Sequence, residues 1–208
     1  MTTEKLKRGD LRDALIDYAD AATKAGTIAT MSLRAAARDL GVSSGAVYRH
    51  FDDKDALLSE ITHRGFLELR QVFRAIRPED APATSVDQAM HRSRELVRTY
   101  IQFAHDNPTL WNMMFGPIGV ANRDRLMADE EHRHYTPFDV TLENLRDLWR
   151  LGALDHEPDL DDVRYIWSAT HGAASLTISQ NRLDFAEIDA IAEQTADRNI
   201  RAMGLKKG

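Results

Sequence analysis

Cysteine is absent from this 208-residue sequence, and so is any long uncharged apolar stretch. Without cysteine the chain can form neither a disulfide framework nor a thiolate metal site, a composition that suits the reducing cytoplasm. No apolar run approaches the roughly 18 residues that a membrane-spanning helix needs. The opening residues MTTEKLKRGD also lack the apolar core of a secretion signal. We therefore expect a soluble cytoplasmic protein with no membrane partner.

Motifs of the common enzyme classes are missing as well. The sequence contains no glycine-rich phosphate loop, no nucleophile elbow and no zinc motif of the His-Glu-x-x-His type. His132 and His134 are close together in EEHRHY (130–135), but residues two apart do not share a helix face. The sequence therefore predicts neither an enzyme, nor a metal site, nor a bound cofactor.

Charge is unevenly distributed along the chain, whose formal net charge is −6. Residues 1–64 hold ten lysines and arginines against ten aspartates and glutamates, whereas residues 65–208 hold seventeen against twenty-three. The first region is therefore neutral, and the second has the whole negative charge. A neutral N-terminal region is compatible with binding a polyanion, which a uniformly acidic protein would repel.

Apolar residues recur at helical spacing almost throughout, and no segment alternates in the manner of a strand. A first helix is predicted near 10–25, and a second begins after the capping Ser32. Ser43 caps a short third helix, and a long fourth helix follows. The proline-containing segment RPEDAPATS (77–85) predicts a loop or a hinge. With the later helical segments, we expect an all-α fold of about nine helices.

The second and third predicted helices, joined by a turn at Gly41, have the lengths of a helix-turn-helix. At about 100° per residue, Val47 and Phe51 point to one side, where they can pack on the preceding helix. Gly45 and Arg49 then point outwards. A glycine costs about 1 kcal/mol inside a helix, and here it would let the backbone approach a DNA groove closely. The alternative is that Gly45 is tolerated in a first turn and Arg49 is a solvated surface residue.

The run Ser32–Leu58, SLRAAARDLGVSSGAVYRHFDDKDALL, resembles the DNA-binding region of the TetR family of transcriptional regulators. Its Gly-Val-Ser turn, Tyr-x-His-Phe element and Asp-Lys-x-x-Leu-Leu element stand at fixed spacing. The resemblance implies an N-terminal three-helix DNA-binding domain at residues 1–54, with its helix-turn-helix at 32–51. It also implies double-stranded DNA as the partner.

Two later segments resemble the C-terminal regulatory domain of a TetR subgroup with a Trp-His-Gly signature. They are YIQFAHDNPTLWNMMFG (100–116) and WSATHG (167–172), although three residues separate Trp167 from His171 here. The resemblance implies that residues 55–208 form a helical effector-binding and dimerisation domain.

The resemblance assigns DNA contacts to nine residues of the first region. They are Ser32, Arg34, Ser43, Ser44, Gly45, Tyr48, Arg49, His50 and Lys54. Phosphates would be contacted by Ser32, Tyr48, His50 and Lys54, and Arg34 would clamp the DNA backbone. Ser43 and Ser44 begin the third helix, whose free N–H groups suit an anion. Ser44, Gly45 and Arg49 would face base edges, and only Arg49 among them can make a bidentate contact to guanine.

Aromatic and methionine side chains are concentrated in the central part of the sequence. In this family the corresponding helices enclose an effector pocket, and methionine adapts to irregular ligands. The candidate pocket residues are Phe103, Trp111, Met114, Phe115, Phe138, Trp149, Trp167 and His171. The alternative is an ordinary core, in which His171 would be hydrogen-bonded rather than a ligand contact.

Helix-turn-helix proteins gain specificity by binding a palindrome as dimers, because one short helix reads few base pairs. The last two predicted helices, near 160–180 and 185–203, are the candidate interface. GAAS (172–175) permits close approach of another helix, and a stripe on the last helix consists of Ile188, Ile191, Thr195 and Ala202. The resemblance implies a four-helix bundle formed by two copies. The alternative is that this stripe is part of a monomer core.

Together these features predict a ligand-responsive transcriptional repressor that binds a palindromic operator as a homodimer. A small, largely apolar effector would release it by favouring a conformation with lower operator affinity. An activator or a ligand-independent DNA-binding regulator is the alternative within the same class. A helical small-molecule carrier or enzyme is the alternative from another class, and it would show no salt-dependent operator binding.

Overall fold

The computed structural model describes residues 8–121, 128, 133–179 and 187–205. Ten helices lie within these ranges: α1 (Arg8–Lys24), α2 (Leu33–Asp39), α3 (Ser44–Val47), α4 (Lys54–Ile76), α5 (Val86–Asp106), α6 (Pro108–Met114), α7 (Pro117–Ala121), α8 (Pro137–Arg150), α9 (Leu160–Ile178) and α10 (Ile188–Ala202). The same ranges contain no strand, only a single β-bridge between Leu154 and Leu205. The expected all-α fold is confirmed. None of the described helices is long and apolar enough to cross a bilayer.

The chain divides into two compact units, and α4 contributes to both. The N-terminal unit consists of Met1–Phe66 and Thr109–Met127, and the C-terminal unit of Leu67–Pro108 and Ala128–Gly208. The domain boundary expected between residues 54 and 55 stays a prediction. A unit defined by its internal packing need not coincide with the segment that binds DNA.

Side-chain caps and a glycine turn set the limits of the first helices. Ser32 Oγ accepts a hydrogen bond from the Ala35 N–H at 3.1 Å, and Ser43 Oγ accepts one from the Ala46 N–H at 3.2 Å. These caps satisfy backbone donors that have no partner inside the helix. Gly41 has a φ of +68°, in the left-handed region, and turns the chain from α2 towards α3. The caps expected at both serines are confirmed.

Apolar residues at helical spacing on α1 to α4 form the core of the N-terminal unit. Its buried members include Leu11, Leu15, Ile16, Ala19, Leu33, Ala36, Ala37, Val47, Phe51, Leu57 and Ile61. Within this unit α3 packs against both α2 and α1. A helix as short as α3 is unstable in isolation, so these neighbours must hold it in place.

In the C-terminal unit α5 is the central helix and packs against α8, α9 and α10. The buried cluster between them includes Ala89, Leu142, Leu145, Leu148, Val163, Ile166 and Ile200. Thr136 and Asp139 form a capping box at the start of α8, and Asp159 and Asp162 form another at the start of α9.

The cap at the start of α5 resembles a capping box in which the returning side chain bonds to the residue before the cap. Ser85 Oγ accepts a hydrogen bond from the Gln88 N–H at 3.2 Å. Gln88 Oε1 accepts from the Thr84 N–H at 2.8 Å and from the Thr84 hydroxyl at 3.2 Å. These bonds attach the end of the loop at 77–85 to α5.

Candidate nucleic-acid interface and aromatic cluster

The helix α3 and the turn that follows it bury one side and expose the other. Val47 is 0% exposed and Phe51 is 3% exposed, so the inward orientation predicted for both is confirmed. Tyr48 is 43% exposed, and Gly45 and Arg49 are exposed as well. The exposed side therefore presents a phenol, a guanidinium group and bare backbone. Such a surface can meet both phosphates and base edges.

Gly45 is required neither by its backbone conformation nor by packing within the described residues. It lies inside α3, and its φ is not among the positive values. A Cβ atom added to Gly45 would meet no described atom within 4 Å outside its own helical turn. The fold thus gives no reason for a glycine there. Close approach of an external surface would give one.

The start of α3 and the start of α2 both have exposed serines. The hydroxyl oxygens of Ser32 and Ser43 accept backbone hydrogen bonds, and a hydroxyl that accepts can still donate its own proton. Ser44 is also exposed, at the point where the first N–H groups of α3 have no partner within the helix. The geometry is suitable for phosphate, and the DNA contacts of these serines stay predictions.

Two basic residues flank this surface, and a nearby acidic residue is paired within the protein. Arg34 is exposed on α2, and His50 is half-buried just after α3. Asp39 accepts a hydrogen bond from the Tyr18 hydroxyl at 2.7 Å and lies 3.3 Å from Arg38 Nε. The hydrogen bond to Asp39 raises the pKa of Tyr18, so the phenol remains a donor. Pairing in this way lessens the repulsion between Asp39 and a phosphate backbone.

Lys54, expected to contact phosphate, binds two carbonyl groups of its own unit. Its Nζ donates to the Ile28 carbonyl oxygen at 2.6 Å and to the Ala29 carbonyl oxygen at 2.9 Å. An ammonium group has three donors, so these two bonds leave one for a phosphate oxygen. The phosphate contact stays a prediction, and the carbonyl contacts are a role that the sequence did not indicate.

Four ring side chains form what we call the aromatic cluster of the C-terminal unit. Trp167 Nε1–H donates to the Tyr100 hydroxyl oxygen at 2.9 Å, and that oxygen lies 2.9 Å from His171 Nδ1. The Trp167 ring lies 5.0 Å from the His171 ring and 5.7 Å from the Phe138 ring, between centroids. Burial lowers the pKa of His171 and raises that of Tyr100, so both are neutral near pH 7. Apolar ring faces beside a few neutral polar groups are typical of small-molecule sites.

The predicted pocket residues belong to two different units. In the C-terminal unit are Phe103, Phe138, Trp149, Trp167 and His171, and in the N-terminal unit are Trp111, Met114 and Phe115. The Trp111 and Phe115 rings are 4.5 Å apart within their own unit. A Cβ atom on Gly65 would lie 2.7 Å from Met114 Sδ, so this glycine allows α4 and α6 to pack closely. A pocket lined by all eight residues stays a prediction.

Two family models match the chain where these features lie. The model described as bacterial regulatory proteins, tetR family, matches residues 18–61, which include α2, α3 and the first turns of α4. The model described as tetracyclin repressor-like, C-terminal domain, matches residues 93–202, more than half of the chain. The chain belongs to the TetR family. It is therefore a helix-turn-helix regulator that binds DNA, as the sequence resemblance implied. The Trp-His-Gly subgroup stays a prediction, with Trp167 and His171 one turn apart on α9.

Solved structures of low sequence identity share the fold of this TetR-family protein. A protein of unknown function from Rhodococcus sp. RHA1 is 24% identical with a TM-score of 0.72, covering 93% of this chain and 95% of that one. The TetR family transcriptional regulator PfmR from Thermus thermophilus is 20% identical with a TM-score of 0.60, covering 93% and 99%. A SmeT–triclosan complex is 17% identical with a TM-score of 0.65, covering 95% and 92%.

Sequence reasoning missed a buried polar network in the C-terminal unit of this TetR-family protein. Arg77, 2% exposed, donates to Asp147, 1% exposed, through Nε at 3.2 Å and Nη2 at 3.3 Å. Arg77 Nη1 donates to the Tyr135 hydroxyl at 2.5 Å and to the carbonyl oxygens of Pro78 and Glu79 at 3.1 Å each. Burial disfavours the charged guanidinium, but the hydrogen bonds to Asp147 and Tyr135 outweigh it and raise the pKa of Arg77.

The Arg77 network holds the segment 77–85 against α8. The Ala83 N–H donates to Asp147 Oδ2 at 3.0 Å, so residues 77 and 83 of this segment are attached to the same carboxylate. The predicted loop is confirmed, and its role as a hinge stays a prediction. One signal was available in the sequence: Asp147 lies seven residues after Val140, or two helical turns, and so falls on the same apolar face of α8. A charge on a buried face requires a partner.

Within the described ranges, no group of three or more histidines, aspartates or glutamates could hold a metal ion. His132 lies outside the described residues. His134 Nε2 lies 3.0 Å from Glu79 Oε2, so this histidine takes part in an exposed ion pair when it is protonated.

Proposed function

We propose that this TetR-family protein is a transcriptional repressor that binds a palindromic operator as a homodimer and is released by a small, largely apolar effector. The supporting observation is the exposed side of α3 and of the turn that follows it, where Tyr48 and Arg49 stand near bare backbone at Gly45, opposite the buried Val47. A guanidinium group can pair with guanine in the major groove, and a phenol can reach a phosphate. Such a regulator works in the cytoplasm, together with the chromosome.

We assign direct base readout to Arg49, with Ser44 and Gly45 beside it against the groove. Positioning on the phosphate backbone falls to Ser32, Arg34, Ser43, Tyr48 and His50, whereas Lys54 already donates to two carbonyl oxygens of its own unit. Only Arg49 in the first group has a fork of donors for one base, so its removal should affect sequence discrimination most.

Two copies would associate through α9 and α10. On α9, Tyr165 is 51% and Leu176 is 41% exposed, and Ala169 and Gly172 lie between them at helical spacing. A Cβ atom on Gly172 would meet no described atom within 4 Å, which leaves room for a second helix. On α10, Ile188, Ile191 and Thr195 are partly exposed and Ala202 is exposed. Exposed apolar side chains grouped on one helix face favour burial against another copy.

The effector would bind at the aromatic cluster of the C-terminal unit. Phe138 is exposed and Trp167 and His171 are half-buried, so their ring faces are within reach of a ligand. SmeT, which shares this fold, has been solved in complex with triclosan. An effector that binds the released conformation better than the operator-bound one lowers operator affinity by the ratio of the two affinities.

Selection of duplexes from a random-sequence pool, followed by binding measurements, tests the proposal. The wild-type protein should enrich a palindromic duplex. Arg49→Ala should weaken binding to it by about 1–3 kcal/mol for each guanine that the arginine pairs with. Arg64→Ala is the matched control, because Arg64 is an exposed arginine of the same unit that pairs with Asp17. Unchanged discrimination between duplexes in Arg49→Ala would exclude Arg49 from base readout.

The alternatives give different results in the same system. An activator would raise, rather than lower, expression of a reporter gene placed behind the enriched duplex. A ligand-independent regulator would keep its operator affinity in a screen of small apolar compounds. A helical carrier or enzyme would enrich no duplex, whereas phosphate contacts require that log K fall steeply with log salt. Repression of the proposed kind requires no catalysis.

A further inference from the structure

Lys54 occupies a position that is electrostatically unfavourable for a cation. It is the first residue of α4, where the helix dipole is positive and acidic residues are preferred. Asp53, directly before it, is such a residue and accepts a hydrogen bond from the Ala56 N–H at 2.7 Å. A lysine at this point needs a compensating interaction.

That interaction is a pair of hydrogen bonds to the loop between α1 and α2. The half-buried Lys54 Nζ donates to the carbonyl oxygens of Ile28 and Ala29, and we call this contact the Lys54 latch. The Ile28 carbonyl also accepts from the Met31 N–H at 3.3 Å. The latch therefore fixes the turn that leads directly into Ser32, the cap of α2.

The latch joins the two ends of the segment that contains the helix-turn-helix. Residues 28–54 run from the α1–α2 loop through α2 and α3 to the first turn of α4. Lys54 ties the beginning of this segment to its end, across 26 residues to Ile28. Because α3 lies between the tied ends and packs on α2, the latch limits how far α3 can shift.

We propose that Lys54 is a positioning residue for DNA recognition, which sets the placement of α3 through the α1–α2 loop. The proposal depends on the DNA-binding function given above. It differs from the phosphate contact assigned to Lys54 by resemblance. A phosphate contact stabilises any duplex alike, whereas placement of α3 affects the specific duplex more than an unrelated one.

Two neutral variants separate these roles in the full chain. Lys54→Met removes all donors, whereas Lys54→Gln removes the charge but keeps an amide donor that is one atom shorter. Lys24→Met is the control, because Lys24 is an exposed lysine of the same unit, paired with Asp20 at 2.7 Å. The probes are a duplex enriched by the wild-type protein from a random pool and an unrelated duplex of equal length.

Positioning predicts that Lys54→Met weakens binding to the enriched duplex by roughly tenfold, the size of one hydrogen bond to a charged group. Affinity for the unrelated duplex and the salt slope should stay as in the wild type. Lys54→Gln should recover part of the specific affinity. In the free protein, amide hydrogen exchange at Thr30 and Met31 should be faster in Lys54→Met than in Lys24→Met.

Other results overturn the proposal. Equal reductions in affinity for both duplexes in both variants, with the salt slope reduced by about 0.9 for the one phosphate concerned, would make Lys54 a phosphate contact. Faster exchange without a change in the affinity ratio would make the latch purely structural, and unchanged exchange would show that there is no latch. If the wild-type protein enriches no duplex, the proposed function fails together with this role, while exchange still reports the latch itself.

Discussion

Replacing Gly45 with alanine should stabilise the protein and weaken its binding to DNA. In the free protein the added methyl group would point into open space, and the backbone of α3 already has helical geometry. Alanine loses less conformational freedom on folding than glycine does. Against DNA the same methyl group would lie between the helix and the groove. The two effects therefore have opposite signs.

The expected gain in stability is small because α3 is short. Glycine costs roughly 0.5–1 kcal/mol relative to alanine in the middle of a helix, and Gly45 is the second residue of a four-residue helix. We therefore expect a gain of about 0.5 kcal/mol in the free energy of unfolding. For a chain of this size that corresponds to a rise in Tm of about 1–2 °C.

The expected reduction in DNA affinity is larger. A methyl group that holds the backbone away from the groove would also displace Arg49, one turn further along on the same side. Removing one well-placed base contact costs about 1–3 kcal/mol, so operator affinity should fall roughly tenfold or more. Binding to an unrelated duplex should change little, because phosphate contacts dominate it.

Thermal unfolding, monitored by circular dichroism, measures the change in stability. Fluorescence anisotropy with the enriched duplex measures the change in DNA affinity. Ala46→Gly, at the next position of α3, is the control, because it changes the stability of the helix without adding a methyl group at residue 45. Full operator affinity in Gly45→Ala would refute close approach of the backbone at this point. A fall in Tm would instead show that Gly45 has a partner within the protein.

Three further changes test the C-terminal unit. Asp147→Ala leaves the buried Arg77 guanidinium without its carboxylate, so urea unfolding should show a loss of about 3–5 kcal/mol. Thr136→Ala removes the cap of α8 and should cost about 1 kcal/mol in thermal unfolding, whereas Thr136→Ser should be nearly neutral. Burial lowers the pKa of His171 below its ordinary 6.5, so wild-type stability should fall as the pH drops below 6.5, where only the unfolded chain takes up this proton. The stability should stop falling at pH values below the pKa of His171 in the folded protein, and His171→Gln should reduce the size of this fall.

For each of these three substitutions, one result would contradict the expected effect. Glu193, exposed on α10, is the control for Asp147, and equal losses of stability in Glu193→Ala and Asp147→Ala would show that the buried pair contributes little. Equal stabilities of the alanine and serine variants at residue 136 would show that the hydroxyl does not cap α8. An identical pH profile in His171→Gln would assign the acid sensitivity to other groups.

The capping residues and the buried faces of the first helices could be predicted from the sequence, because both depend on residues that are close together in the chain. Ser32 and Ser43 each bond to a backbone N–H three residues later. The burial of Val47 and Phe51 follows from their spacing of four, one helical turn. Interactions within one helical turn join residues that are three or four positions apart, so periodicity and capping rules are sufficient to predict them.

The long-range contacts could not be predicted in the same way. Arg77 meets Tyr135 across 58 residues and Asp147 across 70 residues. Periodicity shows which face of its own helix a residue occupies. It does not show which face of another helix packs against that face. Arg77 begins a polar loop, and nothing in its neighbouring residues indicates burial. The same limit applies to the aromatic residues, because their enrichment in one part of the sequence does not show to which compact unit each ring belongs.

The two contacts that the sequence left hidden lie at opposite ends of one helix. Lys54 begins α4 and binds carbonyl oxygens of the loop before α2, and Arg77 directly follows α4 and binds carbonyl oxygens of the loop after it. A helix anchored at both ends is protected from the fraying that terminal turns otherwise undergo. Removal of either anchor should therefore speed amide hydrogen exchange in the turn of α4 next to it, and unchanged exchange there would show that the anchor does not hold that end.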